Sequence, residues 1–334
     1  MQGENSSGTP KAYVGRFAAS GGTINSGIID GMRLDQTGDN GGAFTGSYTA
    51  PNTTNGRFTL TITPTGQSGS VTMAVYIIDA NRMFMLETAG DSGVQDGDVR
   101  KQLQTSYSGA NLNAPFVLYS QGYNYSSGAV SGYVSDVFQG TGNGTGGFTI
   151  NQSYQDNQGT STTGSENGGP IAVTFDTSNP GRATFPAGES SGYLYFFNNN
   201  AAFELDLSGN GFLASGWMVA QSQTTFTDAA VAGIYMIGKL PPTGQGDSDN
   251  IGEAIIASSG TVTGSQTKAG EGEFDWDEPL SGQSLTYSWL SATDGTFSIL
   301  SSGEAQLTCA VISSTELVCS ENNSESANVN IMQQ

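Results

Sequence analysis

Tyr76-Ile-Ile-Asp-Ala-Asn-Arg-Met-Phe-Met-Leu-Glu87 is an apolar strand, a polar turn and a second apolar strand ending in an acid. That is the signature of a β-hairpin, in which apolar positions flank residues that favour turns. The same pattern returns as Tyr195-Phe-Phe-Asn-Asn-Asn-Ala-Ala-Phe-Glu-Leu-Asp206 and as Ala310-Val-Ile-Ser-Ser-Thr-Glu-Leu-Val-Cys-Ser-Glu321. Upstream of each copy lies a glycine marker: Gly56-Arg-Phe-Thr-Leu60, Gly181-Arg-Ala-Thr-Phe185 and Gly295-Thr-Phe-Ser-Ile299. The turn residues Asp79, Asn198 and Ser313 follow those glycines by 23, 17 and 18 residues. Strands ending near Tyr48, Phe175 and Tyr287 precede the same glycines by 8, 6 and 8 residues. Three landmarks in one order, three times over, mark a tandem repeat.

Working outward from these landmarks divides the chain into units at 1–104, 105–224 and 225–334. Period-two apolar alternation with frequent turn signals makes each unit all-β and antiparallel, and the weak helical candidate Asp98 to Tyr107 stands alone. Eight strands can be placed in the second unit and eight in the third, enough for an up-and-down meander to close a small barrel. A sandwich of two four-stranded sheets is the competing architecture. The first unit yields seven strands, because Gly3-Glu-Asn-Ser-Ser-Gly-Thr-Pro10 is too polar to read as the opening one. It therefore reads as one strand short. Either the missing strand lies upstream of Met1, or another copy supplies it by β-addition at an open edge.

The opening Gly233-Ile-Tyr235, the strand Gly46-Ser-Tyr-Thr49 and Gly56-Arg-Phe-Thr-Leu60, followed by the apolar hairpin, resemble the tandem Gly-rich β-repeats of exported proteins from soil bacteria of the acidobacterial type. The resemblance spans most of the chain through short motifs. It implies a surface or extracellular location and supplies no catalytic residues.

Composition narrows the function classes. The 334 residues carry 30 acids against 10 bases, a net charge of −20, and no histidine. Such a charge repels nucleic-acid phosphates and anionic lipid at long range. Without imidazole, Ser-His-Asp and Cys-His catalysis and histidine-ligated zinc are excluded. The 48 glycines and the 12% of charged residues suit a turn-rich scaffold, while 10% aromatics suffice for a core. No run approaches the roughly 18 apolar residues of a transmembrane helix. The first eight residues are polar, so a removed export signal is the expectation for a composition this rich in Gly, Ser, Thr and Asn. Cys309 and Cys319 flank the turn of the third hairpin symmetrically, so pairing places them opposite each other, within reach of a disulfide, with two buried free thiols as the alternative. A disulfide in turn suits an oxidising compartment.

Candidate sites are few. The acidic stretch Glu271-Gly-Glu-Phe-Asp-Trp-Asp-Glu278 has the composition of a glycosidase pair, but a solvated loop is the simpler reading and no catalytic residues are assigned. No cofactor is expected beyond calcium, for which Asp91, Asp96 and Asp98 offer carboxylates on a glycine loop; the loops at 35–40 and 247–250 are weaker versions. Tyr123, Tyr125, Trp217, Trp276 and Trp289 are the aromatics that glycan or small-ligand binding would use. The apolar hairpins carry apolar residues on both faces, Val71, Met73 and Val75 alternating with Ala74, Tyr76 and Ile78. One face lines an interior, and the other calls for packing against a neighbouring unit or subunit. The expectation is a non-catalytic surface protein with a structural or adhesive role, in its sharper form a fibre or pilus-like subunit assembled by strand complementation of the first unit, self-associating head to tail or through the open edge. A glycan- or small-ligand-binding barrel is the alternative.

Overall fold

The computed structural model describes residues 1–4, 9–33, 39–66, 69–89, 94–126, 129–157, 160–164, 170–187, 190–207, 212–239, 249–270, 273–279, 285–322 and 328–334. Three antiparallel sheets follow one another along the chain.

The first sheet is a closed eight-stranded barrel in sequential order. Its strands are β1 (Gln2–Glu4), β2 (Pro10–Ser20), β3 (Thr23–Arg33), β4 (Asp39–Tyr48), β5 (Arg57–Pro64), β6 (Val71–Ile77), β7 (Arg82–Ala89) and β8 (Val94–Arg100). The missing opening strand is thus present, which corrects the count of seven. Gln2 pairs with both Ala12 of β2 and Asp96 of β8, so β1 closes the ring and leaves no open edge for strand complementation. Its signal was invisible because three residues, Gln-Gly-Glu, are held by backbone pairing and carry no apolar alternation. The stretch 98–107 is also not helical; it is strand as far as Arg100 and irregular beyond.

The second sheet contains β9 (Pro115–Ser126), β10 (Ala129–Gly142), β11 (Gly147–Asn157), β12 (Thr160–Gly164), β13 (Ile171–Ala172), β14 (Thr174–Phe175), β15 (Arg182–Ala187), β16 (Ser190–Asn198), β17 (Ala201–Leu207) and β18 (Phe212–Ala220). It is nearly closed: β13 pairs with β11, β14 pairs with β15, and only Val173 separates β13 from β14. The third sheet contains β19 (Gly233–Lys239), β20 (Asp249–Ile256), β21 (Thr261–Gly270), β22 (Glu273–Pro279), β23 (Leu285–Ser291), β24 (Thr296–Ser301), β25 (Glu304–Ser313), β26 (Glu316–Glu321) and β27 (Val329–Gln333). Pairing of β20 with β21 closes this barrel, and β22 lies on the flank of β21. A one-turn helix, α1 (Asp228–Val231), precedes it. The architecture is therefore barrels, not sandwiches.

The repeat landmarks have a shared geometry. Gly56, Gly181 and Gly295 have φ of 68°, 90° and 75°, the left-handed region that a side chain at Cβ disfavours. That conformation turns each glycine carbonyl toward the following hairpin, where Ile77, Phe196 and Val311 donate their backbone N–H at 3.3, 2.7 and 2.9 Å. The hairpin turns are closed alike. Asp79 Oδ1, Asn198 Oδ1 and Ser313 Oγ accept the backbone N–H of Asn81, Asn199 and Thr315, so short polar side chains substitute for backbone acceptors.

Alternation along the strands fills the interiors. In the first barrel Ile24, Phe44, Leu60, Met73, Val75 and Met85 form one cluster. In the second, Phe116 and Phe148 meet edge to face at 5.5 Å, and Phe196 packs against Tyr107 and Phe175. In the third, Tyr235, Val262, Phe297, Val311 and Leu317 surround the Cys309–Cys319 disulfide. The two cysteines are direct cross-strand partners with Cα atoms 3.9 Å apart, as the symmetric hairpin requires. The acid that ends each hairpin points inward. Glu87 pairs with Lys11 at 3.3 Å, Glu321 accepts from Asn328 and Asn330, and Asp206 stands opposite Gly192.

Contacts group the chain into two compact units: Met1–Asn111 with Tyr123–Ser131 and Val173–Ser215, and Leu112–Gly122 with Gly132–Ala172 and Gly216–Gln334. The second sheet is divided between them.

Candidate functional site

Within the first unit a buried polar cluster forms on the outer faces of two barrels. Asp30 alternates outward on β3, opposite Val14 of β2, and is fully buried. Arg182 begins β15 immediately after the marker Gly181, and the strand register sets it beside Tyr195 of β16. Its guanidinium reaches Asp30 with both arms of a fork, Nε to Oδ2 at 2.7 Å and Nη2 to Oδ1 at 2.9 Å. The Tyr195 hydroxyl donates to Oδ2 at 2.5 Å, and the Gly41 N–H donates to Oδ1 at 2.6 Å. Asp176 takes the remaining arm of Arg182 at 3.4 Å, and the Tyr193 ring lies beneath the guanidinium, 5.1 Å from its centroid. Hydrogen bonding to Asp30 holds Arg182 protonated well above its ordinary range, while burial and the Asp30 charge push the Tyr195 phenol up. Gln102 adds a clamp, donating to the carbonyls of Phe196 and Pro180 and accepting from Arg16. Every oxygen of Asp30 is engaged, so the cluster fixes two surfaces together. Removing one member of such a buried set typically costs about 3–5 kcal/mol, because the rest are left uncompensated.

The second unit contains a junction of different chemistry. Val117 and Tyr119 of β9 and Val137 of β10 form one apolar cluster with Ala310, Ile312 and Val318 of the third hairpin. Trp217 stacks on Tyr119 with ring centroids 5.6 Å apart. Amides replace charges at the margin. Gln221 donates to the carbonyls of Val311 and Asp294, Gln139 donates to Gln221, and Gln121 accepts from the Val329 N–H. Ser135 and Ser320 share a short hydrogen bond. A cavity of about 170 Å³ lies beside this cluster, lined by Val137, Gln152, Tyr154, Leu290, Thr296 and Thr308. The Thr296 hydroxyl is sealed from solvent and has no hydrogen-bond partner among the described residues.

The expected site residues are dispersed. Asp91 lies outside the described residues. Asp96 is partly buried, which raises its pKa, and Asp98 accepts from both Arg82 and Arg100. Two guanidinium groups thus already face the Asp98 carboxylate. No group of three potential metal ligands occurs among the described residues. Tyr123 is buried, and the Tyr125 hydroxyl meets the Met32 sulfur at 3.9 Å. Trp217 is spent in the second junction. Trp289 donates its indole N–H to Asp228 at 2.8 Å and packs edge-on to Tyr287 and Phe297. The side chains of Trp276 and of the whole acidic stretch 271–278 lie outside the described residues, as do those of the loops at 35–40 and 247–250. The four described aromatics do not form one exposed row. No local sequence pattern joins Asp30, Arg182 and Tyr195 into one site. The available signal was an arginine beside the marker glycine together with an outward tyrosine in the hairpin.

Comparison with family models, with characterised proteins and with solved structures returned no match for this chain.

Proposed function

We propose that this chain is an exported, non-catalytic scaffold with a structural or adhesive role at the cell surface, built from small β-barrels. The observation that carries the reading is the use of its buried polar chemistry. Asp30, Arg182 and Tyr195 hold barrel to barrel, and clusters of apolar side chains occupy the interiors of the first and third barrels. A small eight-stranded barrel either fills itself or holds a ligand, and a filled one serves as a rigid body. The buried disulfide and the resemblance to exported Gly-rich repeats support an oxidising location. Strand complementation of the first barrel is no part of this reading, since that ring is closed.

The test is surface labelling of the producing cells. Antibody raised against the chain labels intact cells, and both cysteines resist alkylation until a reductant is added. Labelling only after permeabilisation, with cysteines that alkylate directly, would overturn the proposal.

A further inference from the structure

We infer that copies of this chain dock head to tail, the long hairpin of the first barrel seating on strands β19 and β20 of a second copy. The inference rests on the scaffold reading and names the partner that reading needs. It follows from comparing equivalent faces of the three repeats.

In the second and third repeats the outer face of the hairpin is an interface. Tyr195 and Phe203 are cross-strand partners there, and Tyr195 and Leu205 are 2% and 0% exposed where β16 and β17 meet β2 and β3. Ala310 and Val318 are the same cross-strand pair in the third repeat, buried with Ile312 against β9 and β10. In the first repeat the pair is Tyr76 and Phe84. These two residues and Leu86 are each 40% exposed, and Ile78 is 59% exposed. A face that is covered twice is therefore bare once.

The receiving face shows the same pattern in reverse. The first barrel receives a hairpin on β2 and β3, where Asp30 takes the Tyr195 hydroxyl, and the second receives one through Val117, Tyr119 and Val137. In the third barrel, the first two strands carry Ile234 and Met236 on β19 and Ile251 and Ile255 on β20, all facing outward by strand register. They are 58%, 56%, 61% and 38% exposed. Exposed apolar clusters of this kind on a β-surface mark interaction sites.

Charge completes the match. Arg57 is to Tyr76 what Arg182 is to Tyr195, its direct cross-strand neighbour beside the marker glycine, and it is exposed. Glu253 stands opposite Met236 on the receiving face. A guanidinium on the hairpin side and a carboxylate on the receiving side repeat the polarity of the Arg182–Asp30 contact. Because the two faces differ, the contact is heterologous, the kind that adds copies head to tail.

Light scattering and sedimentation of the purified full chain, from micromolar to millimolar, test this. The native chain is expected to give a concentration-dependent ladder of multiples of the monomer mass. Phe84→Glu and Met236→Glu each weaken the association at least about tenfold, equivalent to about 1.4 kcal/mol. An equimolar mixture of the two variants stops at dimers, because each retains the face the other lacks. Circular dichroism and melting temperature verify folding; if either substitution lowers stability, Leu86→Glu or Ile234→Glu takes its place. A native chain that stays monomeric throughout overturns the inference. So does a variant that still forms the ladder, or native association that ends at a closed dimer. A monomeric chain found on the cell surface would sink the docking inference alone and leave the scaffold reading standing.

Discussion

Asp206 occupies the inward position at which each hairpin ends in an acid, but it differs from its two counterparts. Glu87 has Lys11 and Glu321 has two asparagine amides, whereas one Asp206 oxygen is sealed with no hydrogen-bond partner among the described residues. Burial raises its pKa from 3.8 to about 6. A carboxyl raised in the folded state is held protonated by folding. Its penalty is therefore absent below the unfolded value, grows as pH rises between about 4 and 6, and is full above that. A shift of about 2 units corresponds to about 3 kcal/mol. Asp206→Asn should accordingly stabilise the chain by about 1–3 kcal/mol at neutral pH and flatten the pH dependence. Urea unfolding of both proteins on either side of that window measures this. An identical pH slope in the two would dismiss the assignment. Asp30 is the contrasting residue, an acid whose two oxygens are taken up by hydrogen bonds from Arg182, Tyr195 and Gly41.

At the scale of the strand pair, the 48 glycines have a steric use that composition leaves unspecified. Narrow barrels must fit aromatic rings inside, and several rings lie over a glycine on the next strand. Phe44 is the direct partner of Gly27, Tyr13 of Gly31, and Phe185 of Gly192. A Cβ at Gly192 would sit 2.1 Å from the Phe185 ring. Gly192→Ala must displace the ring, and overpacking of this kind costs about 1–3 kcal/mol. Phe185→Leu in the same chain should recover much of that loss, giving a coupling in a double-mutant cycle. Strictly additive effects would show that the ring and the glycine do not share the space. The hairpin turns were readable in advance because Asp79, Asn198 and Ser313 act on backbone N–H groups one or two residues away. The strand β1 was not, since its three residues are held by partners at Ala12 and Asp96, and polarity hides them.

For the whole molecule, the net charge of −20 opposes any meeting of two copies, while the proposed contact is mostly apolar. Raising the salt from about 20 mM to about 0.5 M shortens the screening length from about 20 Å to about 4 Å. Self-association should strengthen several-fold over that range, read as a shift of the light-scattering ladder to lower protein concentration. Weakening with salt would mean that pairs such as Arg57 and Glu253, and not the exposed Tyr76, Phe84 and Ile234, dominate the contact. The same division between local and distant causes governs what could be foreseen about the junctions. Ala74, Tyr76 and Ile78 already called for a neighbour on the outer hairpin face, because alternation alone shows that both faces are apolar. Nothing local indicates that Arg182 meets Asp30, which lies 152 residues away.

The amino-acid sequence by itself determined the all-β class, the three repeats, their hairpins and the opposition of Cys309 to Cys319. Each of these depends on period-two alternation, or on a turn whose chemistry acts within a few residues. Tertiary structure alone decided that the first and third rings close and the second nearly does, that β1 completes the first, and that polar residues such as Asp30 and Gln221 are used between barrels. It also decided which outer faces are covered and which, on β6–β7 and β19–β20, are left bare. Those outcomes depend on surfaces brought together across more than a hundred residues, and no local pattern in a chain records its distant partner.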